Sequence, residues 1–155
     1  MFVWRITKDK YASTAFDGIG AQKVGGRFNY PGSSRIVYCA CDCLSLSVVE
    51  YWVHLPAPKM PPNCSFIRAL VPDEVSRRVL TEDDLPVNWN VFPHPDSTRE
   101  YGTQWLIERE TCLLIVPSAV VTQDYNCLIN PEHPDFERIE IDSAKPMDFD
   151  ERLRS

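Results

Sequence analysis

Residues 24–40 read VGGRFNYPGSSRIVYCA, and the fold of the whole chain turns on how they are taken. A glycine pair runs into an arginine, a Pro-Gly turn follows at 31–32, and a compact apolar run closes the stretch. That run, RIVYCA at 35–40, is short and bounded by turn residues, which predicts a buried strand. The glycines free the backbone to bend and to approach a bound group closely. Arg27 offers a rigid fork of donors suited to an oxyanion, and backbone N–H groups nearby can add to it. Taken alone, the local pattern favours a plainer structure, a hairpin with a solvated arginine.

Working outward, DCLSLSVVEYWVHL at 42–55 predicts a helix. Asp42 is placed to cap it, Leu44, Val48, Trp52 and Leu55 follow helical spacing, and Pro56 and Pro58 end it. The same spacing puts Glu50 with Leu46, Val53 and His54, away from Val48 and Trp52. Carboxylates are seldom buried unless paired, so Glu50 is either a half-exposed helix residue or the wall of a pocket facing Arg27. Before the glycines, residues 2–6 suggest a strand, and residues 9–25 a loop or short helical turn.

Further along, SFIRALV (65–71) alternates as a strand, and DEVSRRVL (73–80) suggests a short helix or turn. Residues 81–98 form a polar, proline-bearing loop around Trp89. STREYGTQWLIER (97–109) predicts a helix, with Ser97 as N-cap and Glu100 completing a capping box. CLLIVPSAVV (112–121) is a strand broken at Pro117 and Ser118. NCLINPEHPDF is a stiff loop that holds Asn130 and His133 before prolines, ERIEID is a last strand, and PMDFDERL is a docking tail. This order predicts one compact α+β domain over residues 1–155, with a mixed, mainly antiparallel central sheet.

Bulk properties narrow the function. With 16 Lys and Arg against 22 Asp and Glu, the net charge of -6 disfavours direct nucleic-acid binding and suits a basic protein partner. No apolar run is long enough for a membrane span, and MFVWRITKDKY lacks the apolar segment of a signal peptide, so a cytoplasmic location is expected. In that compartment the six cysteines are expected as buried, reduced core residues. CACDC does not have structural zinc spacing, and His54, His94 and His133 form no ligand pair, so no metal site is expected. Ser118 is not in a G-x-S-x-G elbow, which argues against a hydrolase nucleophile; it is placed to bond either a ligand or its own backbone.

Taken together, DGIGAQKVGGRFNYPGSSRIVYCA, SLSVVEYWVHL, YGTQWLIERETCLLIVPSAVV and NCLINPEHPDF occur in an order that resembles the RES-domain family, the toxins of bacterial RES–Xre pairs. The likeness covers nearly the whole chain. The arginine, glutamate and serine of the family's name match Arg27, Glu50 and Ser118, and its pocket tyrosine matches Tyr38. One departure is Phe28, where the family usually has tryptophan, which bears on ring packing rather than chemistry. The resemblance implies an ADP-ribosyltransferase-like fold and NAD+ as substrate without a metal. It implies that Arg27, Tyr38, Glu50 and Ser118 are catalytic, and that Gly26, Arg27, Asn29, Tyr38, Ser118 and Asn130 contact the dinucleotide. Glu50 would stabilise the charge that develops on the ribose, Arg27 hold the pyrophosphate, Tyr38 stack on nicotinamide, and Ser118 orient the nicotinamide amide or the ribose. An Xre-type helix-turn-helix antitoxin is the implied partner, with room for a homodimer in that complex. Water, phosphate or a protein side chain all remain open as acceptor, and a non-catalytic binding module of the same fold is the competing class.

Overall fold

The apolar runs expected as strands join one sheet. The computed structural model describes residues 1–56 and 61–153. In chain order its elements are β1 (Phe2–Lys8), α1 (Ile19–Val24), β2 (Val37–Cys41), α2 (Leu44–Val53), β3 (Cys64–Leu70), β4 (Arg77–Val79), α3 (Asp96–Glu108), β5 (Leu113–Pro117), β6 (Tyr125–Ile129), β7 (Glu140–Ile141) and β8 (Lys145–Met147), with short 3-10 turns between some of them. The sheet order is β4-β5-β6-β2-β1-β3-β7, and β8 pairs the same edge of the sheet at β3. Of these pairings β4–β5 is parallel and the others are antiparallel, giving the expected mixed, mainly antiparallel α+β domain.

Period-two alternation sorts the strand residues onto two faces. Val3, Val37, Cys39, Ile67, Leu113, Ile115, Cys127 and Ile129 belong to one buried cluster. Leu114, Val116 and Leu128 belong to the other, with Phe28, Trp89, Trp105 and Leu106 packed over them and Tyr38 alongside. Helix α3 lies close against this second face: a Cβ on Gly102 would strike the carbonyl oxygen of Phe28. Helix α2 crosses β1 and β2, with the Ser47 hydroxyl donating to the Trp4 carbonyl at 2.9 Å.

Several local expectations are corrected by long-range pairing. Asp42 does not cap α2. Its φ is 50°, its carboxylate accepts from the Phe2 N–H at 3.0 Å, and the cap position falls to Cys43. The segment expected as a short helix or turn at 73–80 contains β4, held by its parallel register with β5. Helix α3 begins at Asp96 with Pro95 at the cap, so Ser97 lies inside it; a capping box occurs instead at Thr81 and Asp84. NCLI is not loop but most of β6, an interior strand between β5 and β2. The strand expected across ERIEID shortens to Glu140–Ile141, whereas the tail docks through β8. The polar 81–98 loop is anchored by Leu85 and Trp89, only 8% and 5% exposed. Pro58, expected to help end α2, lies outside the described residues.

Candidate active site

Strand alternation brings the site together before any side-chain contact does. On β2, Tyr38 and Ala40 share one face, and Asn126 of β6 pairs in register with Ala40 and with Val116 of β5. Ser118 continues the parity of Leu114 and Val116 just beyond the end of β5. Helix α2 packs Leu46 inward at 2% exposure, and Glu50, one turn on, follows it toward the sheet. Glu50 Oε1 accepts from Ser118 Oγ and from Asn126 Nδ2, each at 2.6 Å.

The hydrogen bonds of Ser118 define what it can do. Its single hydroxyl proton points at Glu50, and its oxygen accepts from the Val120 and Val121 N–H groups at 3.1 and 3.0 Å. The residue is fully buried. A hydroxyl has one proton to donate and two lone pairs, so none is left for a ligand. Ser118 therefore positions Glu50 in this state, in place of the expected contact with nicotinamide or ribose. Both donors meet one carboxylate oxygen. Oε2 takes no hydrogen bond from the described residues and is the oxygen left for a ligand.

Arg27 faces this carboxylate from the loop before β2. Partial burial lowers its pKa, and the charge of Glu50 opposes that shift; a guanidinium remains a cation throughout. The two side chains act on one another without a direct ion pair among the described residues. Arg27 Nη1 donates to the Trp89 and Val91 carbonyls at 2.6 and 2.8 Å. The loop is thus tied to the arginine, and the guanidinium is oriented before any ligand arrives.

The glycines serve this geometry in a particular way. Gly25 has φ 74°, a left-handed conformation that side chains rarely adopt. A Cβ on Gly26 would lie 2.7 Å from the Tyr38 hydroxyl. That hydroxyl donates to Asn29 Oδ1 at 2.8 Å and accepts from the Phe28 N–H at 3.0 Å. Burial pushes the Tyr38 pKa up, against the opposing effects of the Phe28 hydrogen bond and of Arg27 and Arg99, so the phenol stays protonated. Its ring is half-buried, with the hydroxyl end fixed.

Two residues expected at the ligand are placed elsewhere. Asn29 is fully buried; its amide donates to the Ala21 carbonyl at 2.8 Å while its oxygen holds Tyr38. Asn130 is also fully buried; it bonds the Leu106 carbonyl and accepts from the Glu132 N–H. Both brace the fold, and neither presents a group to a ligand. All six cysteines are free, but Cys41 and Cys43 are half-buried, not core residues as expected. Among the described residues no group of three or more His, Cys, Asp or Glu is arranged to hold a metal. No helix among them is long and apolar enough to cross a membrane.

Three site residues escaped the sequence reading. Asn126 lies on β6, within the segment expected as loop, and its alternation with Leu128 in YNCLI is a strand signal. His94 and Arg99 flank the start of α3. Burial first, then the charges of Arg27, Arg99 and His54, lower the His94 pKa to about 4. Among the described residues its Nδ1 is buried without a partner. Arg99 Nε donates to the Gly26 carbonyl at 3.2 Å, directly beside Arg27.

A carboxylate on the helix after the second strand, held by a serine just past β5 and an asparagine of β6, is set on a mixed, mainly antiparallel α+β domain, the fold class expected of an ADP-ribosyltransferase-like protein. More narrowly, the RES domain model matches residues 2–150, and the chain belongs to the RES domain family. It is 38% identical over 154 residues to the Prs ADP-ribosylating toxin of Sphingobium sp. (strain YBL2), covering 97% of this chain and 94% of that protein. It is 32% identical over 156 residues to Toxin Res of Yersinia enterocolitica serotype O:8 / biotype 1B, covering 99% and 100%. Toxin Res of Photorhabdus laumondii subsp. laumondii is 33% identical over 155 residues, covering 99% and 97%. Among solved structures, a chain of the M. tuberculosis MbcT–MbcA toxin–antitoxin complex superposes with TM-score 0.73 at 17% identity, covering 94% of this chain and 83% of that one; this likeness is one of fold.

Proposed function

We propose that this chain is the toxin of a bacterial toxin–antitoxin pair that acts in the cytoplasm by cleaving the nicotinamide–ribose bond of NAD+, and that an Xre-type helix-turn-helix antitoxin restrains it. The observation that carries this reading is the asymmetric anchoring of Glu50: two donors at 2.6 Å fix one oxygen and leave the other for the substrate. Bond cleavage places positive charge on the ribose, and a fixed carboxylate stabilises that charge without reorganising. Arg27 offers Nε and Nη2 to phosphate, since Nη1 is engaged with the loop. The half-buried Tyr38 ring supplies a surface for nicotinamide. NAD+ fits the residues present: the buried Nδ1 of His94 lacks a partner, and the cationic groups around it suit a dinucleotide's phosphates.

Incubating the folded protein with NAD+, with and without inorganic phosphate, and following free nicotinamide tests the proposal. Release that depends on phosphate identifies phosphorolysis; release without it identifies hydrolysis. No release by folded wild-type protein in either condition refutes NAD+ cleavage to a small acceptor. A second reading, transfer of ADP-ribose to a protein, is favoured by the 38% identical relative named a Prs ADP-ribosylating toxin. Label from NAD+ that becomes bound to protein, rather than appearing as free ADP-ribose or its phosphate, distinguishes it.

A further inference from the structure

We propose that Arg99 is a second anion-binding residue of this site, and that it grips the pyrophosphate of the dinucleotide together with Arg27. The inference rests on NAD+ as the ligand but assigns a role to a residue outside the arginine, glutamate and serine of the family's name.

Three observations converge on it. Arg99 sits in the first turn of α3, with its side chain 29% exposed and its Nε donating to the Gly26 carbonyl at 3.2 Å. Gly26 is bonded to Arg27, so the second guanidinium is tethered to the backbone next to the residue that carries the first. The Nη groups of Arg99 are not consumed by this tether. Their nearest acid is Asp96 at 3.9 Å, a carboxylate 82% exposed and therefore a weak, screened partner.

The groups that act on His94 are basic, although Glu50 acts on Arg27 and Asp96 lies 3.9 Å from Arg99. The shift of His94 is caused first by burial and then by Arg27, Arg99 and His54, all basic. Tyr38 is likewise pushed up by burial and acted on by both arginines. A chain with net charge -6 thus gathers basic groups about one half-buried imidazole, whose Nδ1 is buried and unpartnered. Like charges assembled in a partly desolvated place repel one another until an anion joins them, and such clustering marks functional sites. Two guanidinia, each able to bond two oxygens, match a pyrophosphate better than a single phosphate. Glu50 acts on Arg27 through its charge, and its free oxygen would meet the ribose.

Calorimetric titration with ADP-ribose, inorganic pyrophosphate and inorganic phosphate tests this on the full chain. Arg99→Gln keeps a donor for the Gly26 carbonyl and removes the charge; Arg99→Lys keeps the charge and loses the fork. We expect ADP-ribose and pyrophosphate to bind Arg99→Gln about tenfold more weakly than wild type, with Arg99→Lys between them. Unchanged melting temperatures certify the fold of each variant. ADP-ribose affinity in Arg99→Gln within about twofold of wild type overturns the proposal, as does a loss confined to inorganic phosphate, which would make Arg99 an acceptor site. Wild-type protein that binds neither ADP-ribose nor pyrophosphate overturns it as well. Nicotinamide release is read separately: ADP-ribose binding that depends on Arg99 without any release refutes cleavage and leaves this inference standing.

Discussion

Ser118→Ala separates a residue that positions Glu50 from one that touches substrate. The hydroxyl donates to Glu50 at 2.6 Å and receives the Val120 and Val121 N–H groups at 3.1 and 3.0 Å. Its removal deletes a hydrogen bond to a charged group and leaves two part-buried N–H groups unmatched. A hydrogen bond to a charged group contributes about 1.5–3 kcal/mol, and an unmatched buried donor costs about 1 kcal/mol or more. Water can reach the Val120 side, as that residue is 38% exposed, so a total near 3 kcal/mol is expected rather than the full sum. For a chain of this length that lowers the melting temperature by roughly 6–12 °C. Glu50 keeps the Asn126 bond but loses half its anchoring, and a misplaced catalytic group costs about a hundredfold in kcat. KM for NAD+ should stay within about twofold if, as the Ser118 hydrogen bonds suggest, its hydroxyl is used on Glu50 and the backbone and not on substrate. Calorimetric melting and initial rates of nicotinamide release measure all three. A variant that melts like wild type and raises KM about tenfold at unchanged kcat would refute the positioning role.

Glu50→Gln keeps an oxygen able to accept from Ser118 and Asn126 but removes the charge; kcat should fall about 10²–10³-fold with little change in melting temperature, and unchanged turnover would exclude Glu50 from the chemistry. Gly26→Ala drives a Cβ to 2.7 Å from the Tyr38 hydroxyl and 3.1 Å from Asn29 Oδ1; overpacking of this kind costs about 1–3 kcal/mol, read as a lower urea midpoint at unchanged slope. His94 has a folded pKa near 4, below the usual 6.5, so the unfolded chain binds more protons between those values. Stability from neutral His94 is therefore full above about pH 6.5 and lost as pH falls toward 4, by about 1 kcal/mol once solvent screening is allowed for. His94→Asn should flatten that part of the stability–pH curve, and an unaltered slope would mean that other groups set it.

How much of this was legible beforehand depended on whether the information was local. RIVYCA and SFIRALV carry their own strand signal, and both form strands. The helical spacing around Glu50 put it with Leu46, Val53 and His54; Leu46 is buried, whereas Val53 and His54 are exposed. The ordered motifs brought Arg27, Glu50 and Ser118 into one list, and in space Ser118 bonds Glu50 while Arg27 faces it. What failed was set by partners distant in sequence. Residues 77–79 are a strand because β5 lies beside them, and Asn126 enters the site because β6 is threaded between β2 and β5. Asn29, which the family resemblance implied as a ligand, is buried, with its oxygen bonded to the Tyr38 hydroxyl.

The arginine that suggested an anion site does two jobs at once, and this bears on how any change there is understood. One end of its fork holds the Trp89 and Val91 carbonyls, and the Trp89 indole is buried in the second core. The loop at 86–95 is thereby fastened from both sides, by its tryptophan below and by Arg27 at the site. The same loop carries His94 to the start of α3, where Arg99 reaches back to Gly26. These contacts form a closed circuit from Gly26 through Arg27, the Trp89 loop, His94 and Arg99. Ordering the guanidinium within that circuit lowers the entropy that a ligand would otherwise have to overcome on binding. It also means that truncating Arg27 releases the loop together with the proposed phosphate contact, so an inactive Arg27→Ala variant says little about phosphate. The informative substitutions lie at the other end of the circuit, where the tether and the charge of Arg99 can be altered one at a time.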